Sequence, residues 1–341
     1  MQALDRSEHD AWDRFVARVP NGSLFQTAWW HRAWNATPVV LALKDAANEI
    51  VAGTCFSASQ FLGFSAIRPL PLTPVNSPLA LPAGPQYAVS QHIQETILSV
   101  LASLPGAEIL DFVLPCGWAD VQPYLWSGFD SEVVCTTVIP SARGAAWRAH
   151  CSPQRARQLC RAEREFVQSA CEFAADPRWD EIAPLLRITA AARSFSLPDG
   201  LAQWWNAVEA RGAGRIYLLR DRARRPLCGT LAVHDHRTTY YLLGGQLDEI
   251  RRGSCLNMLL FERMIEESIA SGRDFDFEGS DIPTVERFFR GWGGESRILC
   301  RVRRASSDRA LNAWAEYRRV RSEYRGEGYA TLARRCGLRI R

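Results

Sequence analysis

Asp274, Asp276 and Glu278 alternate with Phe275 and Phe277 near the end of the chain. Successive side chains of a strand point to opposite faces, so as a strand this run sets three carboxylates on one face and two rings on the other. Its place after a helix predicts a central strand, where an acidic face is costly unless it lines a cleft. A desolvated carboxylate with a raised pKa can take a proton from an incoming nucleophile. Glu278, at the C-terminal end of the strand, is the candidate general base, with Asp276 beside it. The plainer reading is that both acids are structural, paired with arginines or capping turns, and the sequence leaves both open.

Other residue groups suggest binding rather than proton transfer. Arg251-Arg252-Gly253-Ser254 precedes an apolar-periodic helix. Exposed N–H groups, the helix dipole and two guanidiniums there could hold a phosphate, although such a turn can equally be solvated. Arg157, Arg161 and Arg164 fall on one face of a predicted helix, with Arg155 close by, and could meet nucleotide or RNA phosphates. Glu163 and Glu165 beside them favour a solvated face. Tyr240 and Tyr241 alternate on a predicted strand, so one faces the cleft side, where a phenol could bind a carbonyl or phosphate. His234 and His236 share one side of their strand and fit an ordinary hairpin. Cys255 starts a helix, where a thiolate is favoured, but no histidine lies within ten residues and no triad pattern accompanies it. No nucleophile stands out, which points to direct transfer without a covalent intermediate.

Composition narrows the classes further. The chain has 341 residues, 47% hydrophobic and 23% charged, as a globular protein of about two domains should. Its formal charge is +4, yet Lys44 is the one lysine among 41 basic residues, so the other forty are arginine. A Schiff-base or P-loop lysine would have to be Lys44, and no G-x-x-x-x-G-K-[ST] surrounds it. Arginine remains protonated and clamps anions rather than shuttling protons. From Arg301 to Arg341, twelve arginines face four acids, a net of +8, which leaves −4 on the first 300 residues. Ten dispersed cysteines without a C-x-x-C pair, and six dispersed histidines, argue against a disulfide framework or a zinc site. No apolar run approaches the length of a membrane span, and the charged N-terminus does not look like a signal peptide, so a cytoplasmic location is expected.

The elements that must position these groups can be read in order. Ser7–Val19 is a capped amphipathic helix, Thr27 caps a second, and Pro38–Lys44 and Ile50–Ser57 form a hairpin. Six prolines between Pro69 and Pro85 predict a long loop that walls a cleft. A helix over Val89–Leu104, strands over Glu108–Leu114 and Ser131–Ile139 and a linker over Pro140–Ala146 follow. Beyond it come helices over Arg148–Cys171, Asp180–Ala192 and Leu201–Arg211. Arg215–Arg220, Leu227–His234 and Thr238–Gly244 are successive strands. A helix with Ser254 as N-cap leads to the Asp274–Glu278 strand; Arg297–Arg303 is a last strand and Leu311–Arg335 a basic helix. The two halves share this order, which suggests two similar α/β domains.

Three stretches resemble the Fem-like family, bacterial non-ribosomal peptidyltransferases and relatives built from twin acyltransferase domains of the GNAT type. Ser23-Leu24-Phe25-Gln26-Thr27-Ala28-Trp29-Trp30 is similar to the family's S-x-F-Q-x-x-x-W opening. Ser152-Pro153-Gln154-Arg155-Ala156-Arg157-Gln158-Leu159-Cys160-Arg161 resembles the Arg-rich helix that opens its second domain. Phe275-Asp276-Phe277-Glu278-Gly279-Ser280, followed by Val285 to Gly294, resembles its D-F-x-G-S strand end and F-K-x-G-F-G-G turn.

The resemblance implies an α/β (α+β) fold of two tandem GNAT-like domains, each a mixed twisted sheet flanked by helices. Residues 1–140 would be the first domain and 141–304 the second, with the active site. A basic C-terminal helix, 305–341, would pack back on the first domain. The implied activity is direct N-acyl transfer from an acyl-CoA-type donor to an amine acceptor bound in a groove between the domains. Glu278 or Asp276 would be the base, with Arg290 and backbone N–H groups after Gly279 on the oxyanion. Arg251, Arg252, Gly253, Ser254, Tyr240, Tyr241, Ser280, Arg157 and Arg161 would bind donor or acceptor. No cofactor would be held permanently. One alternative uses aminoacyl-tRNA as donor to extend a peptide or cell-envelope precursor, with tRNA as partner, although the coiled-coil arm of some Fem proteins is absent. Another is a non-catalytic scaffold for phosphorylated ligands or RNA. Two positions depart from the family. Phe289 stands where the turn often has lysine, leaving Arg290 as the nearest substitute. Ile250 stands where the pyrophosphate loop [QR]-x-x-G-x-[GA] has its polar residue.

Overall fold

The computed structural model describes residues 1–82, 86–117, 120–193, 195–280 and 283–323. Strand β1 (Gln2–Ala3) precedes helices α1 (His9–Arg18) and α2 (Ala28–Ala33). Strands β2 (Val39–Lys44), β3 (Ile50–Phe56), β4 (Ala58–Phe61), β5 (Phe64–Ile67) and β6 (Leu79–Ala80) follow. Then come α3 (Gln86–Ala102), β7 (Ile109–Leu114), α4 (Gln122–Trp126), β8 (Asp130–Ile139), α5 (Pro153–Gln168), β9 (Glu172–Phe173), α6 (Trp179–Ala192) and α7 (Leu201–Ala210). Strands β10 (Gly214–Arg220), β11 (Pro226–His234) and β12 (Thr238–Gln246) lead to α8 (Asp248–Gly253) and α9 (Asn257–Ala270). The chain closes through β13 (Asp274–Asp276), α10 (Pro283–Arg290), β14 (Glu295–Ala305) and α11 (Asp308–Glu323).

These elements form two compact units. Unit 1 is Met1–Val134 with Ile298–Arg319, and unit 2 is built on Cys135–Arg297. Each is a mixed α/β unit containing one parallel strand pair whose connection includes a helix. In unit 1, β5 and β7 run parallel with α3 between them in the chain; in unit 2, β12 and β13 do so with α8 and α9 between. The last strand of each unit is not where the chain order would place it. The greater part of β14 pairs antiparallel with β7 of unit 1, while the end of β8 pairs with β13 of unit 2.

In unit 1 the S-L-F-Q-T segment proves to be a packing device. Ser23 N–H donates to Gln26 Oε1 at 3.0 Å, a capping box, and Thr27 Oγ1 accepts from Trp30 N at 3.3 Å. Buried Gln26 then donates from Nε2 to the Ser77 carbonyl at 2.8 Å, and its own carbonyl accepts Trp12 Nε1 at 2.9 Å. The family opening thus ties α1 to the proline-rich stretch, of which Pro85 and its two predecessors lie outside the described residues. Asp111 on β7 is fully buried and bound by Arg301 through Nε at 2.7 Å and Nη2 at 2.5 Å, with Arg303 Nε at 3.3 Å. A bidentate guanidinium is the partner that makes such burial tolerable. Helix α11 packs Trp314 and Ala310 onto Phe61, Phe64 and Ile109 of unit 1. Residues 324–335 of the expected basic helix lie outside the described residues.

Unit 2 has the strand order β8-β13-β12-β11-β10-β9. Helix α9 lays Leu260, Phe261, Met264 and Ile265 on one face of this sheet, into a core that holds Trp147, Phe275, Phe277, Phe289 and Trp292. Helix α6 lies at the β12 end, where Thr189 Oγ1 accepts from Gln246 N at 3.0 Å. Two expectations are corrected. The basic helix begins at Pro153 rather than Arg148, because Ser152 caps it by accepting from Arg155 N at 3.2 Å, and 3-10 turns fill Ser141–His150. The strand of alternating acids and rings ends at Asp276, two residues before Glu278. Among the described residues no helix is long and apolar enough to cross a membrane, no group of His, Cys, Asp and Glu could hold a metal, and the cysteines are free thiols.

One buried group gives unit 1 a pH dependence. His31 is 3% exposed, with Nδ1 2.8 Å from Ser57 Oγ and Nε2 without a partner. Burial, aided by the Arg32 charge, pushes its pKa from 6.5 down to about 4. Between those values the unfolded chain binds the proton and the folded chain does not, so stability falls as pH is lowered through this window, by about 3 kcal/mol in full. Urea unfolding of wild type and His31→Gln from pH 7 to 4.5 should show the steeper loss in wild type. Equal slopes would remove His31 as the cause.

Candidate active site

Strand β13 sits between two partners. It pairs in parallel with β12 (Thr238 opposite Asp274, Thr239 opposite Phe275, Tyr240 opposite Asp276) and antiparallel with the end of β8 (Phe275 opposite Ile139, Asp276 opposite Val138). Pairing with β12 then stops, although β12 runs on to Gln246. Its register against β11 slips between Leu231 and Ala232, which leaves Leu242 as an extra residue, a bulge that bends the strand. The two parallel strands therefore part beyond Tyr240 and Asp276. On the other side, Phe277 N still donates to the Thr137 carbonyl at 3.0 Å, so the departing chain stays on β8 while it leaves β12.

The departing chain turns through two left-handed residues, Glu278 at φ +60° and Gly279 at φ +66°. A Cβ on Gly279 would lie 2.0 Å from the Cys135 carbonyl oxygen, so only glycine fits against β8 there. Glu278 has no such exemption, and a bulky residue held at positive φ is strained in a way that clusters at functional sites. Its N–H donates to Asp276 Oδ1 at 2.7 Å, which fixes the turn.

The three acids have different surroundings. Asp274 is structural: its Oδ1 accepts from Ser141 N at 2.9 Å and Oδ2 from Arg297 Nη1 at 3.1 Å. Asp276 accepts the Thr136 hydroxyl and the Glu278 N–H on Oδ1. Burial nevertheless outweighs those donors and pushes it up to about 6. Glu278 Oε1 is sealed from solvent and has no hydrogen-bond partner. Burial, with the Asp276 charge added, raises its carboxyl well above the usual range. Burial is the leading cause of the raised proton affinity in both Asp276 and Glu278, and among the described residues only Asp276 has donors that oppose it.

Around this pair the predicted residues separate. The charge of Asp276 and that of Glu278 both act on the phenol of half-buried Tyr240, whose OH reaches Asp235 Oδ2 at 3.4 Å; desolvation first, then Asp235, raise it and keep it protonated. Tyr241 points into the aromatic core instead, 4.9 Å from the Phe261 ring and 6.0 Å from Phe289, and burial raises its phenol to about 12. Ser280 follows Gly279 and is partly buried. Arg290 is not brought to the pair as an oxyanion ligand. It is exposed at the end of α10 and bonded to Glu286 at 2.5 Å, a one-turn helix pair. Phe289, in the place of the family lysine, is a 4%-exposed core residue 5.0 Å from Phe277, so that position is packing here and holds no charge.

The expected phosphate turn is not a loop. Arg251, Arg252 and Gly253 belong to the six-residue α8, and both guanidiniums reach Asp248 one turn back, at 2.7 and 3.1 Å. Ser254 closes α8 and its Oγ accepts from Leu256 N at 3.0 Å. Arg157 is exposed, and Arg161 bridges Glu165 Oε1 at 2.6 Å and the Gly253 carbonyl at 2.5 Å. A diphosphate at the start of α9 would have to displace Glu165, so the residues present do not fit that group. Arg155 is 4% exposed and meets no carboxylate among the described residues: it donates to the Phe288 carbonyl at 2.8 Å and lies over the rings of Phe288 and Trp292 at 4.2 and 4.7 Å. Burial lowers it to about 10. A cavity of about 250 Å³ elsewhere in unit 2, lined by Trp179, Leu186, Arg187 and Gln203, holds none of the acids. Thr136, Asp235 and Glu165 were not assigned site roles from sequence, and only Glu165, beside the arginine cluster, carried a signal.

Comparison with known proteins bears on the geometry just described. Residues 153–290 match the family model of an acetyltransferase (GNAT) domain. Among solved structures the chain is similar to FemX, at 14% identity and a TM-score of 0.61 over 88% of this chain and 97% of that one. It is also similar to L-PGS from Bacillus licheniformis, at 10% identity and 0.54, over 91% of this chain and 95% of that one. No curated protein matches the sequence. These likenesses show a shared fold.

Gly279 and Gly272 both have positive φ, but only Gly279 has a neighbour in the way; nothing lies within 4 Å of a Cβ on Gly272. Gly279→Ala should therefore lower the unfolding free energy by about 1–3 kcal/mol more than Gly272→Ala. Equal losses in urea unfolding would show that the turn does not depend on its approach to Cys135.

Proposed function

We propose that the chain, whose residues 153–290 match the family model of an acetyltransferase (GNAT) domain, is an acyltransferase that moves an acyl group from an activated carrier directly onto an amine, with Glu278 as general base. The observation that carries this is the half-buried Glu278 beside Asp276, one of whose carboxylate oxygens is sealed from solvent and reached by no donor. An incoming ammonium supplies both the missing donor and the missing counter-charge. Its proton passes to Glu278, and the freed amine attacks the carrier's carbonyl carbon. The new C–N bond forms, the carrier's C–S or C–O bond breaks, and the leaving atom takes up the amine's second proton as the adduct collapses. Tyr240, kept protonated, is a donor on the same face. Asp276 raises the proton affinity of Glu278 and holds its backbone N–H, so it is a positioning residue.

Two carriers follow from the sequence, acyl-CoA and aminoacyl-tRNA. One observation favours the second: the start of α9, where a CoA diphosphate would rest, is filled by Glu165. The acceptor is an amine on either reading, and extension of a peptide or envelope precursor suits the second.

The test is transfer of labelled acyl groups from acetyl-CoA or a charged tRNA pool to peptide and amino-sugar amines, read by mass spectrometry. Glu278→Gln should lower kcat by about 10²–10⁴-fold. In wild type the rate should fall as pH is lowered through the raised Glu278 pKa, because a base must be unprotonated, and Asp276→Asn should move that acid limb to lower pH by removing the neighbouring charge. A wild-type rate in Glu278→Gln would overturn the role of this residue. No transfer with any donor would favour a non-catalytic scaffold.

A further inference from the structure

We infer that Glu165 is a specificity-determining residue that closes the anion seat at the start of α9, so that a donor carrying a diphosphate is not held there. This rests on the reading of unit 2 as the acyltransferase domain.

The first turn of a helix presents unpaired N–H groups and a positive dipole end, and a phosphate is the usual external answer to both. In this chain an internal group answers them. Glu165 Oε2 accepts the Cys255 N–H at 2.9 Å and the Ser254 hydroxyl at 2.7 Å. Leu256 N–H is taken by Ser254 Oγ at 3.0 Å. Glu165 reaches across from α5, 90 positions away in the chain, and its side chain is 20% exposed. Arg161 pins it from the other side, with 2.6 Å to Oε1 and a second bond to the Gly253 carbonyl.

Three guanidiniums flanking this place are likewise engaged. Arg251 and Arg252 share Asp248, and Arg161 is held by Glu165. Burial alone would raise the Glu165 carboxyl, but the Cys255 N–H, the Ser254 hydroxyl and Arg161 outweigh it and hold it below the usual range. The Glu165 carboxylate thus stays ionised at physiological pH, balanced by Arg161. A diphosphate arriving there meets a carboxylate in its own position, with the neighbouring guanidiniums already neutralised. An acyl group on a carrier without a diphosphate at that point meets no such repulsion.

The experiment is calorimetric titration of the full chain with acetyl-CoA and, separately, with inorganic pyrophosphate. Glu165→Ala opens the seat, and Glu165→Gln keeps its shape while removing the charge. Wild type should bind both probes weakly, and Glu165→Ala should bind each at least about tenfold more tightly, with a smaller gain in Glu165→Gln. The second variant decides the matter if the first fails to fold. Tight acetyl-CoA binding by wild type, or no gain in the folded variants, overturns the inference. Its failure is distinguishable from failure of the acyltransferase reading. Transfer from acetyl-CoA by wild type sinks only the role of Glu165, whereas pyrophosphate binding gained without transfer from any donor sinks only the enzymatic reading.

Discussion

The burial of Phe275 and Phe277 in the aromatic core of unit 2 is the constraint on which the candidate site depends. Both rings are sealed, 4.9 Å apart, and Phe277 stacks toward Phe289 and Trp292. Strand alternation then leaves Asp276 no choice of face, and the Glu278 N–H bond to Asp276 sets the turn that follows. Burying a ring is worth about 1.5–3 kcal/mol, and raising Asp276 from 3.8 to about 6 costs about 3 kcal/mol. The strain of a left-handed Glu278 is of similar size, and the Phe277–Thr137 and Glu278–Asp276 hydrogen bonds hold it. An apolar core is here the device that maintains a reactive carboxylate.

The arginines named above serve mostly as internal cross-links. Arg301 and Arg303 neutralise buried Asp111, Arg161 locks Glu165, and Arg155 closes the end of α10 while sandwiched against two rings. Each use exploits the planar fork and stacking surface that lysine lacks. A chain with forty arginines and one lysine can make many such contacts, so abundance alone is poor evidence for a phosphate clamp. Arg290 illustrates the point: its sequence neighbourhood suggested an oxyanion ligand, but the acid one turn earlier claims it.

What was legible in the sequence was periodic. The alternation of acids and rings at 274–278, the α9 stripe, the three-strand run before it and the three family-like segments are all local patterns, and local patterns survive folding. What was not legible came from long-range pairing. Thr136 meets Asp276 across 140 residues, and nothing in either neighbourhood announces it. Glu165 read as a charge that diluted the arginine cluster, since its reach to Cys255 depends on how α5 packs beside α9. Arg251 to Gly253 read as a loop because a basic run before a serine resembles one, while Asp248 supplies the first-turn acid that makes it helical. Phe289 read as a missing lysine, and becomes intelligible as a core ring only once Phe277 is placed 5.0 Å away.

The placement of β14 on β7 has a consequence for how this protein is made. Asp111 emerges from the ribosome 190 residues before Arg301. At about 5–20 residues per second, roughly ten to forty seconds of synthesis separate a buried acid from the guanidinium that makes its burial tolerable. During that interval β7 has an unpaired edge of apolar residues, the kind of surface on which nascent chains associate wrongly. Vectorial synthesis therefore cannot finish the N-terminal unit first, and the boundary that divides the structure in space is not a place where the gene could be cut into two independently folding halves.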